Sequence, residues 1–185
     1  MAPRSQYAIA HHRYAQARAQ VFAQVLPKIQ PRFPDARLLN ITPPTLDTYR
    51  MQWTDHLRHP QTRHFRWHDI VAQRNADPAQ FQLALWNCPD GQQSLHALGI
   101  GRTSSTKRAV RLEYLESCPF QQNPFAGSVI GIYIAALEAW GVYLGAKSAE
   151  LIEAHEAIKN TYERVYGYTL ESQTGNYYNL SKALR

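Results

Sequence analysis

The feature that most constrains the fold is the run from Gly127 to Leu144. Val129, Ile130, Tyr133, Ile134, Leu137, Trp140 and Tyr143 recur there at helical spacing and cover more than one face. Such a pattern predicts a helix buried on several sides, which needs a sheet beneath it and other elements beside it. The flanking sequence supplies both. Upstream, Phe81, Leu83 and Leu85 alternate as in a strand, and Pro89-Asp90-Gly91 reads as a turn. Leu95 to Arg102 and Val110 to Glu116 predict two further strands, joined by a turn that holds Lys107 and Arg108. Downstream, Gly145 is placed to end the helix. A strand from Ala149 to Ile152, a helix from about His155 to Val165, and strands near Tyr168 to Glu171 and Tyr177 to Leu180 follow.

The part before this meander is mostly helical. Gln6 to Leu26 has helical spacing and meets Pro27, Pro31 and Pro34, which should end it. Ala36 to Ile41 predicts a short strand. Thr45 is placed to cap a helix through Leu57, and a third helical piece runs from about Phe65 to Arg74. The expected fold class is α/β with a mixed central sheet and helices on both faces. Residues 1–35 form an N-terminal helical extension packed on a domain spanning 36–185.

Composition narrows the setting. The 185 residues are 44% hydrophobic, enough for one domain with a real core. No apolar stretch is long enough to span a bilayer, and residues 1–13 lack the apolar segment of an export signal. Two cysteines, Cys88 and Cys118, end strand-like segments and read as structural thiols, so a reducing cytoplasm is the expected location. The net charge of +6 favours acidic partners, among them nucleic acid or a cofactor with several phosphates.

From residue 36 onward the element order resembles the GNAT superfamily of acyl-CoA-dependent N-acyltransferases. In that family the fourth strand runs into a loop of pattern Gln/Arg-x-x-Gly-x-Gly/Ala that opens the central helix. Here the strand ending at Glu116 leads into Gln122-Asn123-Pro124-Phe125-Ala126-Gly127-Ser128, where Gln122 and Gly127 match and Phe125 replaces the middle glycine. Tyr162 to Tyr168, with Gly167, resembles the family's Tyr…Gly-aromatic helix ending, one residue longer than its common form. The asparagine usual near the start of that helix has no match; Ala154 or His155 occupies the region.

The resemblance implies acetyl-CoA, or another acyl-CoA, as co-substrate and no metal. Its pyrophosphate would meet amides from Gln122 through Phe125, Ala126, Gly127 and Ser128 to Val129, since a helix N-terminus offers free N–H groups and a positive dipole end. A bulky Phe125 at a glycine position would crowd that cradle or change the loop's path. The pantetheine arm would bond to the backbone of Leu115 and Ser117 as an added strand does. Tyr162 is the expected acid, and Glu113 or Glu116 the expected base. The acceptor would be the amine of a small molecule or a protein. The different-class alternative is a catalytically silent module that binds a protein or nucleic acid through its basic face.

That face centres on Arg58–Arg74, where Arg58, Arg63, Arg66, His64 and His68 interleave with Phe65 and Trp67. Such a mixture suits an acidic acceptor or RNA. The plainer reading is a solvated basic edge with Phe65 and Trp67 anchored inside. The pairs His56/His59 and His64/His68 have metal-compatible spacing but no third ligand. His96 reads as a satisfied surface or core histidine. The final strands could pair two copies into a homodimer.

Overall fold

The computed structural model describes residues 4–54 and 57–185; His56 lies outside them. The chain runs α1 (Arg4–Ile29), β1 (Ala36–Leu39), α2 (Pro43–Gln52), α3 (Trp67–Arg74), β2 (Gln82–Asn87), β3 (Ser94–Ile100), β4 (Ala109–Leu112) and β5 (Tyr114–Ser117). It continues with α4 (Val129–Leu144), β6 (Ser148–His155), α5 (Glu156–Tyr166), β7 (Thr169–Thr174) and β8 (Tyr177–Ala183).

Two four-stranded sheets form, ordered β1-β2-β3-β5 and β4-β6-β8-β7. The first is antiparallel throughout. In the second, β4 runs parallel to β6 and the other pairings are antiparallel. Strand alternation divides the core across the first sheet. Leu83, Leu85 and Ala97 join Val21 and Phe22 of α1 and Tyr133 and Trp140 of α4. Ala84, Trp86, Leu98 and Ile100 pack with Tyr49 of α2 and Trp67 and Ile70 of α3. Helices therefore cover both faces, and α4 buries eight residues between its neighbours, as its all-round apolar pattern demands.

The first helix is fastened by a buried cation. Arg18 is 1% exposed. It donates to Asn40 Oδ1 at 2.7 Å and to the carbonyls of Pro78 and Gln80, each at 3.0 Å. Its plane also lies over the Trp140 ring. Burial lowers its pKa to about 10, so it stays charged at neutral pH and its partners hold it in place.

Several boundaries differ from the sequence expectations. α1 continues through Pro27 to Ile29, because a proline in the last turn costs little ladder beyond its own missing donor. The cap of α2 is Thr42, followed by Pro43 and Pro44; Thr45 instead reaches back, its Oγ1 accepting from the Thr42 amide at 3.2 Å. α2 stops at Gln52 because Trp53 turns inward, where its indole N–H donates to Leu95 O at 3.1 Å. α3 begins at Trp67, two residues late. The largest change concerns 110–116, expected as one strand. It is two strands that belong to different sheets.

Candidate functional site

The division falls at Glu113 and has a backbone cause. Leu112 pairs with Leu151 of β6, whereas Tyr114 stands opposite Ile100 of β3. The Glu113 amide also donates to Ile100 O, at 3.1 Å. Two residues thus share one partner, which is a β-bulge, and bulges bend and twist the strand that carries them. On the other side, β6 loses register between Leu151 and Ala154, with Glu153 at φ +54°. The two strands diverge beyond Leu112 and Leu151.

The gap is a cleft of about 600 Å³. One wall is the Leu112–Leu115 segment and the other is Leu151 to His155. Ile158 and Tyr162 of α5, Tyr177 of β8, Gln61, Thr62 and His64 to Arg66 ahead of α3, and Asp69, Ile70 and Gln73 within it complete the lining. Gln61 Nε2 lies 2.9 Å from His155 Nε2, so the segment before α3 reaches across to the end of β6.

The β5 wall has an unpaired edge. Cys118 N–H donates to His96 O at 2.8 Å. In an antiparallel ladder the bonding direction alternates. The main-chain groups of Glu116 and Tyr114 therefore face β3, while those of Leu115 and Ser117 face the opposite edge, toward the gap. Among the described residues β5 pairs with no other strand.

That edge leads to the start of α4. Asn123 Nδ2 donates to Ser117 Oγ at 3.0 Å, and Asn123 Oδ1 accepts the Phe125 amide at 3.0 Å. The amides of Ala126 and Ser128 are taken by Asn123 O and Phe125 O. Those of Gly127, Val129, Ile130 and Gly131 have no acceptor among the described residues. Four N–H groups with a helix dipole behind them form a ready anion site. Gly127 sits at φ +72°, which the turn requires and which other residues rarely adopt. Gly131 is needed for closeness: a Cβ there would stand 2.6 Å from the Tyr166 hydroxyl of α5.

Phe125 does not crowd this cradle. It is fully buried, tilted against Phe33 at 5.0 Å and edge-on to His96 at 5.4 Å between ring centres. The side chain points into the core, and the Asn123 side chain organises the turn where the related loops use glycine. Gln122, by contrast, is exposed and makes none of these bonds.

Tyr162 is 4% exposed and borders the cleft. Burial, with Tyr166 adding to it, pushes its pKa up to about 12. The two glutamates behave differently. Glu113 lines the cleft, but Arg102 Nε meets its Oε1 at 2.6 Å and Arg74 Nε lies 2.9 Å from its Oε2, the latter an ion pair without hydrogen-bond alignment. Glu116 does not line the cleft. It points to the α2–α3 side and accepts from Arg58 Nε at 2.7 Å, Arg58 Nη2 at 2.8 Å, Trp67 Nε1 at 2.6 Å and Thr62 Oγ1 at 3.0 Å. Its lone pairs are occupied. His96 is buried, with Ser94 Oγ 2.8 Å from Nε2, and Asn123 Oδ1 at 3.2 Å and Cys118 Sγ at 3.4 Å from Nδ1. Both Cys118 and Asn123 meet the same nitrogen, so no Cys–His–Asn relay exists. Burial pushes the Cys118 thiol up to about 11, away from a reactive thiolate.

Sequence reasoning missed His155, Glu153, Gln61 and Tyr177 as cleft residues. The one available signal was the region of Ala154 and His155, where the resemblance expects an asparagine and finds none. No group of three His, Cys, Asp or Glu residues that could hold a metal ion occurs among the described residues. No helix among them is long and apolar enough to cross a membrane.

Solved structures of low identity share this architecture. Ard1 from Thermoplasma volcanium gives a TM-score of 0.57 at 9% identity, over 82% of this chain and 99% of that one. An acetyltransferase of the GNAT family from Listeria monocytogenes 4b F2365 gives 0.51 at 18% identity, over 80% and 95%. Aminoglycoside 6'-acetyltransferase type Ii gives 0.54 at 12% identity, over 80% and 96%. No family model matches the chain, and no curated protein matches its sequence. At these identities the likeness establishes the fold: the chain has the GNAT fold, with a helix at its N-terminus.

Proposed function

We propose that the protein is an acyl-CoA-dependent N-acyltransferase, moving an acetyl or related acyl group to the amine of a small molecule or protein. The observation that carries this reading is the continuity of two open backbone features. The free edge at Leu115 and Ser117 suits the amides of an extended pantetheine arm, as an added strand would. It ends, through the Ser117–Asn123 bond, at the free amides of Gly127, Val129, Ile130 and Gly131, which suit a pyrophosphate. The inward Phe125 leaves that space clear.

Bound there, acetyl-CoA would supply an activated acyl group and a thiolate leaving group. The chain's own residues supply the proton handling. Acylation of an amine removes one proton from nitrogen and delivers one to sulfur. His155 is the base we favour: it lies on the cleft wall and imidazole can take a proton at neutral pH, once the Gln61 amide that donates to its Nε2 swings aside. Glu113 is a weaker choice because two guanidinium groups hold its oxygens. Glu116 is a structural residue in this reading. Tyr162, with its pKa pushed up to about 12, keeps its proton throughout the working range. A thiol ordinarily ionises near ~8.5, so Tyr162 acts as a hydrogen-bond donor to the developing thiolate, and the sulfur takes up the proton that His155 removed from nitrogen, relayed through water.

A silent binding module is favoured by one observation, the engagement of both glutamates that the sequence offered as bases. Calorimetric titration with acetyl-CoA, followed by thiol release against a panel of amines, separates the readings. Micromolar binding with turnover supports the enzyme. Binding without turnover for any amine supports the silent module, and no binding rejects the cofactor site. A Phe125→Gly variant is unsuitable as a rescue, since emptying a buried aromatic site costs about 3–5 kcal/mol.

A further inference from the structure

We infer that the amine acceptor carries a phosphate group, held in a second pocket that shares a wall with the cleft. This rests on the acyltransferase reading. The pocket measures about 910 Å³ and is framed by α2, the segment leading to α3 and the first turn of α3. Arg50, Arg63 and Arg66 line it together with His64 and His68. None of these three arginines has a carboxylate partner among the described residues. Arg58 also lines the pocket, but its guanidinium is bound to Glu116 and to the carbonyls of Thr62 and Phe65. Asp69 is the one carboxylate on the pocket wall among the described residues.

Three guanidinium groups without a carboxylate partner among the described residues, set around a concavity, select for an anion of more than one charge. A phosphate monoester carries roughly −1.5 to −2 at pH 7 and offers three acceptor oxygens that match guanidinium forks. The same pocket is poorly made for nucleic-acid bases. Its floor rings are closed: Trp53 is 3% and Trp67 0% exposed, with indole N–H groups already bonded to Leu95 O and Glu116. A base would find no open indole face on which to stack. A compact phosphate fits these features better than a nucleotide chain.

Position links the pocket to the reaction. His64, Phe65, Arg66 and Asp69 line both cavities. One small molecule can therefore leave its phosphate among Arg50, Arg63 and Arg66 and pass its amine beside Asp69, whose carboxylate attracts an ammonium, into the cleft. The pocket is distinct from the coenzyme's phosphate site. α2 and α3 pack on one face of the first sheet, and α4 packs on the other.

Calorimetry on the full chain tests this, with O-phosphoethanolamine and ethanolamine titrated in parallel. The inference expects the phosphorylated amine to bind at least tenfold more tightly. An Arg50→Gln/Arg63→Gln variant, both positions lining the second pocket and not the cleft, should lose tenfold or more of that affinity while acetyl-CoA affinity stays within twofold. Both arginines are exposed, so the variant should fold; Arg50→Gln alone provides a second, milder loss of about threefold. Equal binding of the two amines, or an unchanged affinity in the double variant, overturns the inference even if acetyl-CoA binds. Loss of acetyl-CoA binding alone would instead reject the acyltransferase reading. A ten-residue single-stranded oligonucleotide binding far more tightly than O-phosphoethanolamine, and released by the same substitutions, would overturn the small phosphorylated acceptor in favour of nucleic acid.

Discussion

The region behind β5 and the region at its free edge lie a few ångströms apart and are built on opposite principles. Behind the strand, Glu116 meets Arg58, Trp67 and Thr62 with every bond satisfied, and the ion pair's side chains are only 2% and 1% exposed. At the edge, main-chain groups of Leu115 and Ser117 point away from β3 with no partner strand among the described residues, and Leu115 lines the cleft. The contrast shows what a bulge at Glu113 achieves. One strand is anchored rigidly on its buried face so that its edge can be left unpaired without collapsing. Closed polar networks give position, and the open edge gives binding capacity.

The anchor should show the largest effect. Glu116→Ala leaves Arg58 buried without its carboxylate and should cost about 3–5 kcal/mol in urea unfolding. A loss below about 1 kcal/mol would mean that the knot does not hold β5. Next is Tyr162→Phe on the open side. Turnover should fall about 100-fold, while acetyl-CoA affinity and melting temperature remain close to those of the natural chain. A variant as active as the parent removes Tyr162 from the mechanism.

Alkaline pH probes one group on each side. Burial raises Cys118 from 9.0 to about 11 and Tyr162 from 10.0 to about 12. Folded-state values above unfolded ones mean that the folded chain binds the protons more tightly. The stabilisation is therefore complete below pH 9 and is lost as pH rises through 11 and 12, by roughly 3 kcal/mol per group. Cys118→Ala should flatten the first part of that fall; stability that rises from pH 9 to 11 would contradict the burial. The smallest effect belongs to Glu113→Gln. Of its two partners Arg102 is half exposed and Arg74 is partly exposed, so both cations keep contact with water when the carboxylate is lost and the cost should stay at about 1–2 kcal/mol. A cost equal to that of Glu116→Ala would erase the distinction between the two glutamates.

Much of this architecture was legible in the residues themselves. The period-two pattern of Phe81, Leu83 and Leu85 and the all-round apolar run of α4 report local burial, which sequence encodes directly. The bulge was not legible, because Val110 to Glu116 contains no glycine or proline to mark it. It arises where one half of the run pairs with β3 and the other with β6, partners far apart along the chain. For Phe125 the residues leave two readings, an obstacle in the loop or a ring packed on the core, because a loop motif fixes position but not side-chain direction. The core contacts with Phe33 and His96 decide that direction. Arg58 was read as part of a solvated edge, since its partner Glu116 lies 58 residues away. His155, Gln61 and Tyr177 come from three separate segments, and only the divergence of β5 from β6 brings them to one cleft.

The most direct test of the central claim is amide hydrogen exchange at Leu115 and Ser117, with and without saturating acetyl-CoA. Both amides should exchange readily in the free protein and become protected on binding, together with those of Gly127, Val129 and Ile130. Unchanged exchange at Leu115 and Ser117 in a protein that demonstrably binds acetyl-CoA would contradict the claim that the free edge of β5 receives the coenzyme.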